Sequence, residues 1–251
     1  MRKDAEKRQD SSFAEGVISV FSILQNDSRS VHEILLLPDA KKDEKNILRL
    51  LNLAKKKQIP VTLSTRSFFE SVTTGHTHGG VIARVGDRKT VSCEEVFDLG
   101  RGFVFLLCGV EDPFHFGCAV RSFYAAGAGG MILTPRNWLS AAGVTIRASA
   151  GTTEAIPCGI FDDPIALCDL AKKKGYQIVC ASEKDSVPLF SAPLEKPIFL
   201  IIGGEKRGIT REFLQAADLR VRIPYGRTFS GSLTTSAAAA VCAFEILRRE
   251  K

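Results

Sequence analysis

The sequence contains no apolar run long enough to cross a membrane, no C-x-x-C pair, and no lysine where its one P-loop-like segment needs it. Each absence removes a class of function. A spanning helix needs about 20 consecutive apolar residues, and the opening Met1-Arg-Lys-Asp-Ala-Glu-Lys-Arg8 is too charged for a signal peptide, so a cytoplasmic protein is expected. Seven cysteines, an odd number without paired spacing, fit reduced and mostly buried thiols better than a disulfide framework or a zinc site. His76 and His78 flank one threonine in a glycine-rich turn, but no cysteine or carboxylate stands near them, and no metal is expected. Gly203 and Gly208 have the G-x-x-x-x-G spacing of a phosphate loop and Thr210 follows. Ile209 occupies the lysine position, however, and Glu205 in mid-loop would repel phosphate, which argues against a nucleotide triphosphate.

What the chain does have is charge, unevenly placed. Of a net charge of +6 over 251 residues, residues 1–90 carry 16 Lys/Arg against 11 Asp/Glu, or +5, and the remainder only +1. A basic N-terminal part is consistent with a nucleic-acid-facing module, and equally with solvated helix faces.

Along the chain, apolar patterning alternates between periods of helix and strand. Residues 1–16 are read as a flexible tail. Apolar positions from Val17 to Leu24 fit a helix ended by Asn26-Asp27-Ser28. Strands are expected at 32–37, 60–63 and 81–85, with helices at 43–58 and 67–72 between them, so that 17–86 forms a small α/β domain able to stand alone. The polar, acidic stretch 87–101 reads as a linker. Then come buried strand candidates at Phe103–Cys108, Gly130–Leu133, Gln177–Ala181, Pro197–Ile202 and Arg220–Ile223. Helices are expected at 118–126, loosely over 138–149, and at 165–174, with a strong alanine-rich one at 237–247. Such alternation implies a largely parallel sheet covered on both faces. Loops following adjacent strands of such a sheet form a ligand crevice.

Three of these loops carry distinctive residues: Asp112-Pro-Phe-His-Phe-Gly117 with Arg121, Gly203-Gly-Glu-Lys-Arg-Gly208, and Ile223-Pro224 with Ser232-Leu233. In order and spacing this set resembles the SpoU/TrmH-like family of RNA ribose 2′-O-methyltransferases of the SPOUT class, whose motifs run D-P-x-N-x-G-x-x-x-R, G-x-E-x-x-G and I-P-M followed by S-L-N. The resemblance spans 103–250, and His78-Gly79 before Val81 looks like the end of the family's small N-terminal RNA-binding domain. It implies an α/β fold whose C-terminal parallel-sheet domain, 102–251, is tied in a deep trefoil knot. It also implies S-adenosylmethionine as cofactor, ribosomal or transfer RNA as substrate, and a homodimer through the knotted domain. By position, the backbone at Gly203, Gly204, Ile223 and Leu233, with Thr134-Pro135 beside them, is expected around the cofactor's adenosine part. Arg121, Glu205 and Ser232 match the motifs' functional residues.

A guanidinium is hard to deprotonate, which suits Arg121 to fixing an RNA phosphate rather than removing a proton. Glu205 is expected to anchor polar groups of its loop, and Ser232 either serves the site or caps the following helix. The chain departs from the pattern at His115 and Thr234, where the motifs have asparagine, and at Tyr225, where they have methionine. The loop before Ser232 is about one residue longer than usual. His115 is therefore either a general base in place of the asparagine or a hydrogen-bonding substitute for it. RNA binding on this fold without methyl transfer is the alternative that the two departures leave open.

Overall fold

The computed structural model of the protein describes residues 12–40, 44–74, 78–100, 102–135 and 137–249. Its first layer is a four-stranded sheet in the order β1-β4-β2-β3, formed by β1 (Ser12–Glu15), β2 (Arg29–Leu36), β3 (Val61–Leu63) and β4 (Val81–Arg88). Helices α1 (Val17–Asn26), α2 (Glu44–Lys56) and α3 (Arg66–Val72) connect them. Asp27 ends α1 in the left-handed region at φ 52°, and Thr65 caps α3 by accepting the Phe68 N–H. This sheet is mixed, not parallel: β4 runs antiparallel to both β1 and β2. The expected tail thus contributes a strand from Ser12 onward. Four residues without clear alternation gave no local signal; pairing with β4 sets them in place.

The expected linker is also structured. Within it lies α4 (Cys93–Leu99), capped by Ser92, whose hydroxyl accepts the Glu95 N–H at 3.1 Å, and Val96 and Phe97 sink into the core of the second layer.

That second layer is a seven-stranded, wholly parallel sheet in the order β7-β6-β5-β10-β8-β11-β9. The strands are β5 (Phe103–Cys108), β6 (Gly130–Leu133), β7 (Cys158–Ile160), β8 (Gln177–Ala181), β9 (Val187–Pro188), β10 (Ile198–Gly203) and β11 (Leu219–Arg222). Every residue of β5 is buried, and its alternate side chains feed two cores, Phe103, Phe105 and Leu107 on one face, Val104 and Leu106 on the other. Covering the faces are α5 (Pro113–Ala125), α6 (Ala142–Ala148), α7 (Thr152–Ala155), α8 (Pro164–Lys173), α9 (Arg211–Ala216) and α10 (Thr235–Arg248). Phe123 of α5 stacks on Phe105 with centroids 4.0 Å apart. The loose helix expected over 138–149 is a 3₁₀ turn (Trp138–Ser140) followed by α6.

The first layer does not close its own core. Ala142 and Ile146 of α6 are buried among Ala14, Val20, Ile23 and Ile34. Beside them, Glu154 of α7 is fully buried and accepts hydrogen bonds from Ser28 Oγ at 2.5 Å and Arg29 Nε at 3.0 Å, with Arg88 Nε 3.6 Å away. Arg29 also donates to the Leu139 carbonyl and Arg88 to that of Ile156. Glu15 repeats the arrangement at the edge, accepting from Thr74 N and Arg147 Nη1. A buried carboxylate without these donors is very unfavourable, so the two layers are fastened to one another rather than hung on a linker.

Candidate active site

The site forms where β5, β10, β8 and β11 end. From β10 the chain enters a closed loop, with Gly208 N donating to the Gly204 carbonyl at 2.9 Å and Gly204 N to the Cys108 carbonyl at 2.6 Å. Glycine is needed here for the loop's own packing. A Cβ on Gly203 would lie 2.7 Å from the Ile209 nitrogen, and one on Gly204 would overlap the Gly109 carbonyl of the β5 loop. At Gly203 the missing side chain therefore admits backbone, not ligand. The β5 loop is braced from behind by Trp138, whose Nε1 donates to the Val110 carbonyl at 2.7 Å.

Two cavities open side by side. The first, about 350 Å³, is walled by Ile202, Val221, Ile223, Leu233 and backbone of Gly203 and Gly204. The second, about 360 Å³, lies between Gly109–Asp112, His115 and Lys206. Glu205 and Thr235 line both and form the partition. Thr235 is buried at the start of α10; its N–H donates to Glu205 Oε1 at 3.3 Å and its hydroxyl to the Gly203 carbonyl at 3.4 Å. A carboxylate accepting an N–H at a helix N-terminus is favoured by the helix dipole as well, so Glu205 ties the β10 loop to α10.

The structure brings most of the expected residues to this place. Gly203, Gly204, Ile223, Leu233 and Ser232 line the first cavity, His115 the second, and Glu205 both. Ser232 is not the helix cap: Thr234 caps α10, its hydroxyl accepting the Ala237 N–H at 3.3 Å, the task an asparagine would perform there. Tyr225 lines the first cavity, and its Oη accepts the Leu233 N–H at 3.2 Å while its ring meets Phe229 edge-on. Asp112 caps α5 by accepting from Phe114 N and His115 N. The helix thus begins at Pro113, not Cys118, and His115 stands in its first turn. His115 Nδ1 is buried without a hydrogen-bond partner.

Three expected residues are elsewhere. Thr134 and Pro135 line neither cavity; Thr134 faces a small hollow beside Trp138, because β6 lies on the far side of β5 from β10. Arg121 is exposed on α5, six residues beyond His115, and has no carboxylate partner among the described residues. Conversely, Ser182, Glu183 and Lys184, which follow β8, line the first cavity and carry no motif. Only the position of β8 next to β10 reveals them.

At the mouth of the second cavity, Lys206 Nζ lies 2.8 Å and Arg207 Nε 3.5 Å from the Glu111 carboxylate. The Lys206 hydrogen bond and charge hold Glu111 below the usual carboxylate range and raise Lys206 in turn. His78 Nδ1 accepts the Gly80 N–H, and His76 lies outside the described residues. Among the described residues no group of His, Cys, Asp and Glu could hold a metal ion, and no helix is long and apolar enough to cross a membrane.

An open parallel sheet with a largely apolar ligand cavity and an adjoining polar one at its carboxyl end has the form of an α/β enzyme that brings a cofactor and a substrate together. The chain belongs to the SpoU rRNA methylase family, whose model matches residues 102–244; a model for the RNA 2′-O ribose methyltransferase substrate-binding domain matches residues 13–90. The 23S rRNA (guanosine-2′-O-)-methyltransferase RlmB of Shewanella oneidensis is 26% identical over 249 residues, covering 98% of this chain and 99% of the relative. That of Xanthomonas axonopodis pv. citri is 30% identical over 242 residues, covering 93% and 95%. In fold, the AdoMet-bound rRNA methyltransferase of Sinorhizobium meliloti is similar with a TM-score of 0.80 at 21% identity, covering 96% of this chain and 88% of the other.

Proposed function

We propose that the protein transfers the methyl group of S-adenosylmethionine to the ribose 2′-hydroxyl of a guanosine in large-subunit ribosomal RNA, in the cytoplasm. The observation that carries this reading is the pair of cavities separated only by Glu205 and Thr235. The first cavity is within the range of about 300–1,000 Å³ that accepts small organic ligands. Its apolar walls suit a flat base, and the Leu233 N–H is a main-chain donor for that base's edge once Tyr225 Oη releases it. The cofactor supplies an activated methyl group, so what remains for the chain is to align the ribose hydroxyl with it.

The polar second cavity receives the ribose. His115 acts there as a hydrogen-bond donor: Nδ1 is buried without a partner in either tautomer, so only Nε2 is left to meet the ribose, and with its proton there it donates. This is the role an asparagine amide would fill, and Thr234 likewise keeps a hydrogen-bonding task as the α10 cap. Both departures thus preserve the groups the site uses, which favours turnover over RNA binding alone.

The dimer is part of the same proposal. Phe114, Cys118, Arg121 and Ala125 form one stripe of α5, with Phe114 56% exposed, and Phe244 of the adjacent α10 is 48% exposed. A second copy covering this apolar surface would place Arg121 at the interface, where its exposed guanidinium is available to an RNA phosphate. The proposed knot has its support in the placing of β10 between β5 and β8, with α10 returning to pack on α5.

The test is incubation with methyl-deuterated S-adenosylmethionine and a large-subunit rRNA transcript, digestion to nucleosides, and mass spectrometry. Labelled 2′-O-methylguanosine is expected. Label on a base, or none in RNA by a cofactor-binding protein, overturns the proposal.

A further inference from the structure

The groove between α1 and α2, on the face of the first layer away from its sheet, is not used by the site described above. Two adjoining hollows of about 240 and 330 Å³ share Phe21, Gln25 and Arg49. From α2, Arg49, Asn52 and Lys56 follow one another at helical spacing and are all exposed. From α1, Ile18, Phe21 and Gln25 follow at the same spacing, Ile18 (64% exposed) and Gln25 exposed and Phe21 half-buried. The Arg49 guanidinium lies 5.8 Å from the Phe21 ring centroid, so a planar cation and an aromatic ring form one platform. Among the described residues no acidic one lines either hollow, and neither Arg49 nor Lys56 has a carboxylate partner. The carboxylate of Asp27, at the end of α1, is occupied by Lys57 and Lys89.

A solvated helix face does not need an aromatic ring in a basic groove, and a protein-docking groove has no reason to exclude acid throughout. Backbone-tracking cations beside a stacking surface and amide side chains are the components by which single-stranded nucleic acid is held. We propose that this groove binds a single-stranded segment of the substrate RNA, with one base on the Phe21–Arg49 platform and flanking phosphates on Arg49 and Lys56. The amides of Gln25 and Asn52 face the base edges. The inference rests on the proposed RNA substrate and adds where the chain grips it outside the reacting nucleotide. Because Ala150 of the second layer closes one end of the groove, the bound strand is held against both layers at once.

The test uses the full chain and a fluorescein-labelled, mixed-sequence single-stranded RNA 12-mer read by anisotropy over a salt series. Phe21→Leu keeps an apolar side chain but loses the stacking face, and should weaken binding roughly 5- to 100-fold, the range for one stacked base. Arg49→Gln with Lys56→Gln changes only exposed charge and should lower the log–log salt slope by about 1.4, or 0.7 for each lost phosphate contact. Affinity for S-adenosylmethionine and the melting temperature should stay those of the parent in the double glutamine variant. Parent-like RNA affinity and salt slope in both variants overturn the groove while leaving the methyltransferase reading intact. Equal displacement of the RNA by polyglutamate would show a general anion site or an acidic protein partner, and also overturns it. A parent that binds no RNA in this assay or as a large-subunit transcript overturns both readings.

Discussion

Two charged clusters, each one carboxylate held by two cations, behave oppositely. Glu154 with Arg29 and Arg88 is dry, with side chains 0%, 1% and 8% exposed, and each guanidinium nitrogen not bound to Glu154 donates to a carbonyl. Glu111 with Lys206 and Arg207 is wet, and both cations are about four-fifths exposed. In the first, neither partner can leave without stranding charge in the interior. In the second, water screens the pairing, and the cations can exchange a carboxylate for a phosphate at little cost. The buried cluster fixes one layer on the other; the exposed one leaves the mouth of the second cavity adjustable.

Glu154→Ala breaks the comparison most severely. It leaves Arg29 and Arg88 buried and uncompensated, and should lower the unfolding free energy by about 3–5 kcal/mol in denaturant titration. A loss below about 1 kcal/mol would mean that the junction is wet. For the same reason, deleting residues 12–90 should not yield an independently stable cofactor-binding remainder.

Alkaline pH sharpens the contrast between interior and surface. Burial pushes the thiols of Cys180 and Cys242 up to about 12 from 9.0, and the Tyr176 hydroxyl to about 12 from 10.0. Their folded-state values lie above the unfolded ones, so their contribution is whole below about pH 9 and is lost as pH rises towards 12. Each group accounts for at most about 1.4 kcal/mol per pH unit over that window. Denaturant midpoints measured from pH 8 to 11 should fall. Unchanged midpoints would contradict the burial. Glu111 has the opposite sign, its pairing present above the unfolded carboxylate range and lost in acid.

At the second cavity, His115→Asn should keep the methylation rate within about threefold and the parent's pH profile, while His115→Ala should lose roughly tenfold or more. Loss of turnover in the asparagine variant, with the pH dependence of the parent's rate abolished, would make His115 the base. The smallest effect is expected from Glu111→Gln. The denaturant midpoint should stay close to the parent's, and Lys206 and Arg207, released, should steepen the salt dependence of RNA binding.

Much of the second layer was legible because β5 and β10 are unbroken apolar runs, and the loops after them and after β11 carry the three motifs. The first layer was less so, since β1 is held by pairing rather than pattern. Two misreadings had signals in plain view. Ser92-Cys-Glu-Glu95 is a capping box that marks α4 inside the supposed linker, and Asp112-Pro113 is a cap followed by a first-turn proline, which starts α5 before the motif's histidine. Thr134-Pro135 was misplaced for a different reason. Sequence order puts it between motif loops, but strand order puts β6 beyond β5, and no local pattern reports strand order. The residues after β8 went unnoticed for the same cause. That Gly203 must be glycine because its loop's own backbone lies where a Cβ would be is a distinction that needs coordinates.

A crystal structure of the protein with S-adenosylhomocysteine tests the division of labour between the two cavities most directly. The prediction is an adenosine group between Ile202, Ile223 and Leu233, the Leu233 N–H turned from Tyr225 Oη to the base, and the sulfur at the Glu205–Thr235 partition. Density for the ligand in the cavity beside His115, or a sulfur directed away from that partition, would contradict it.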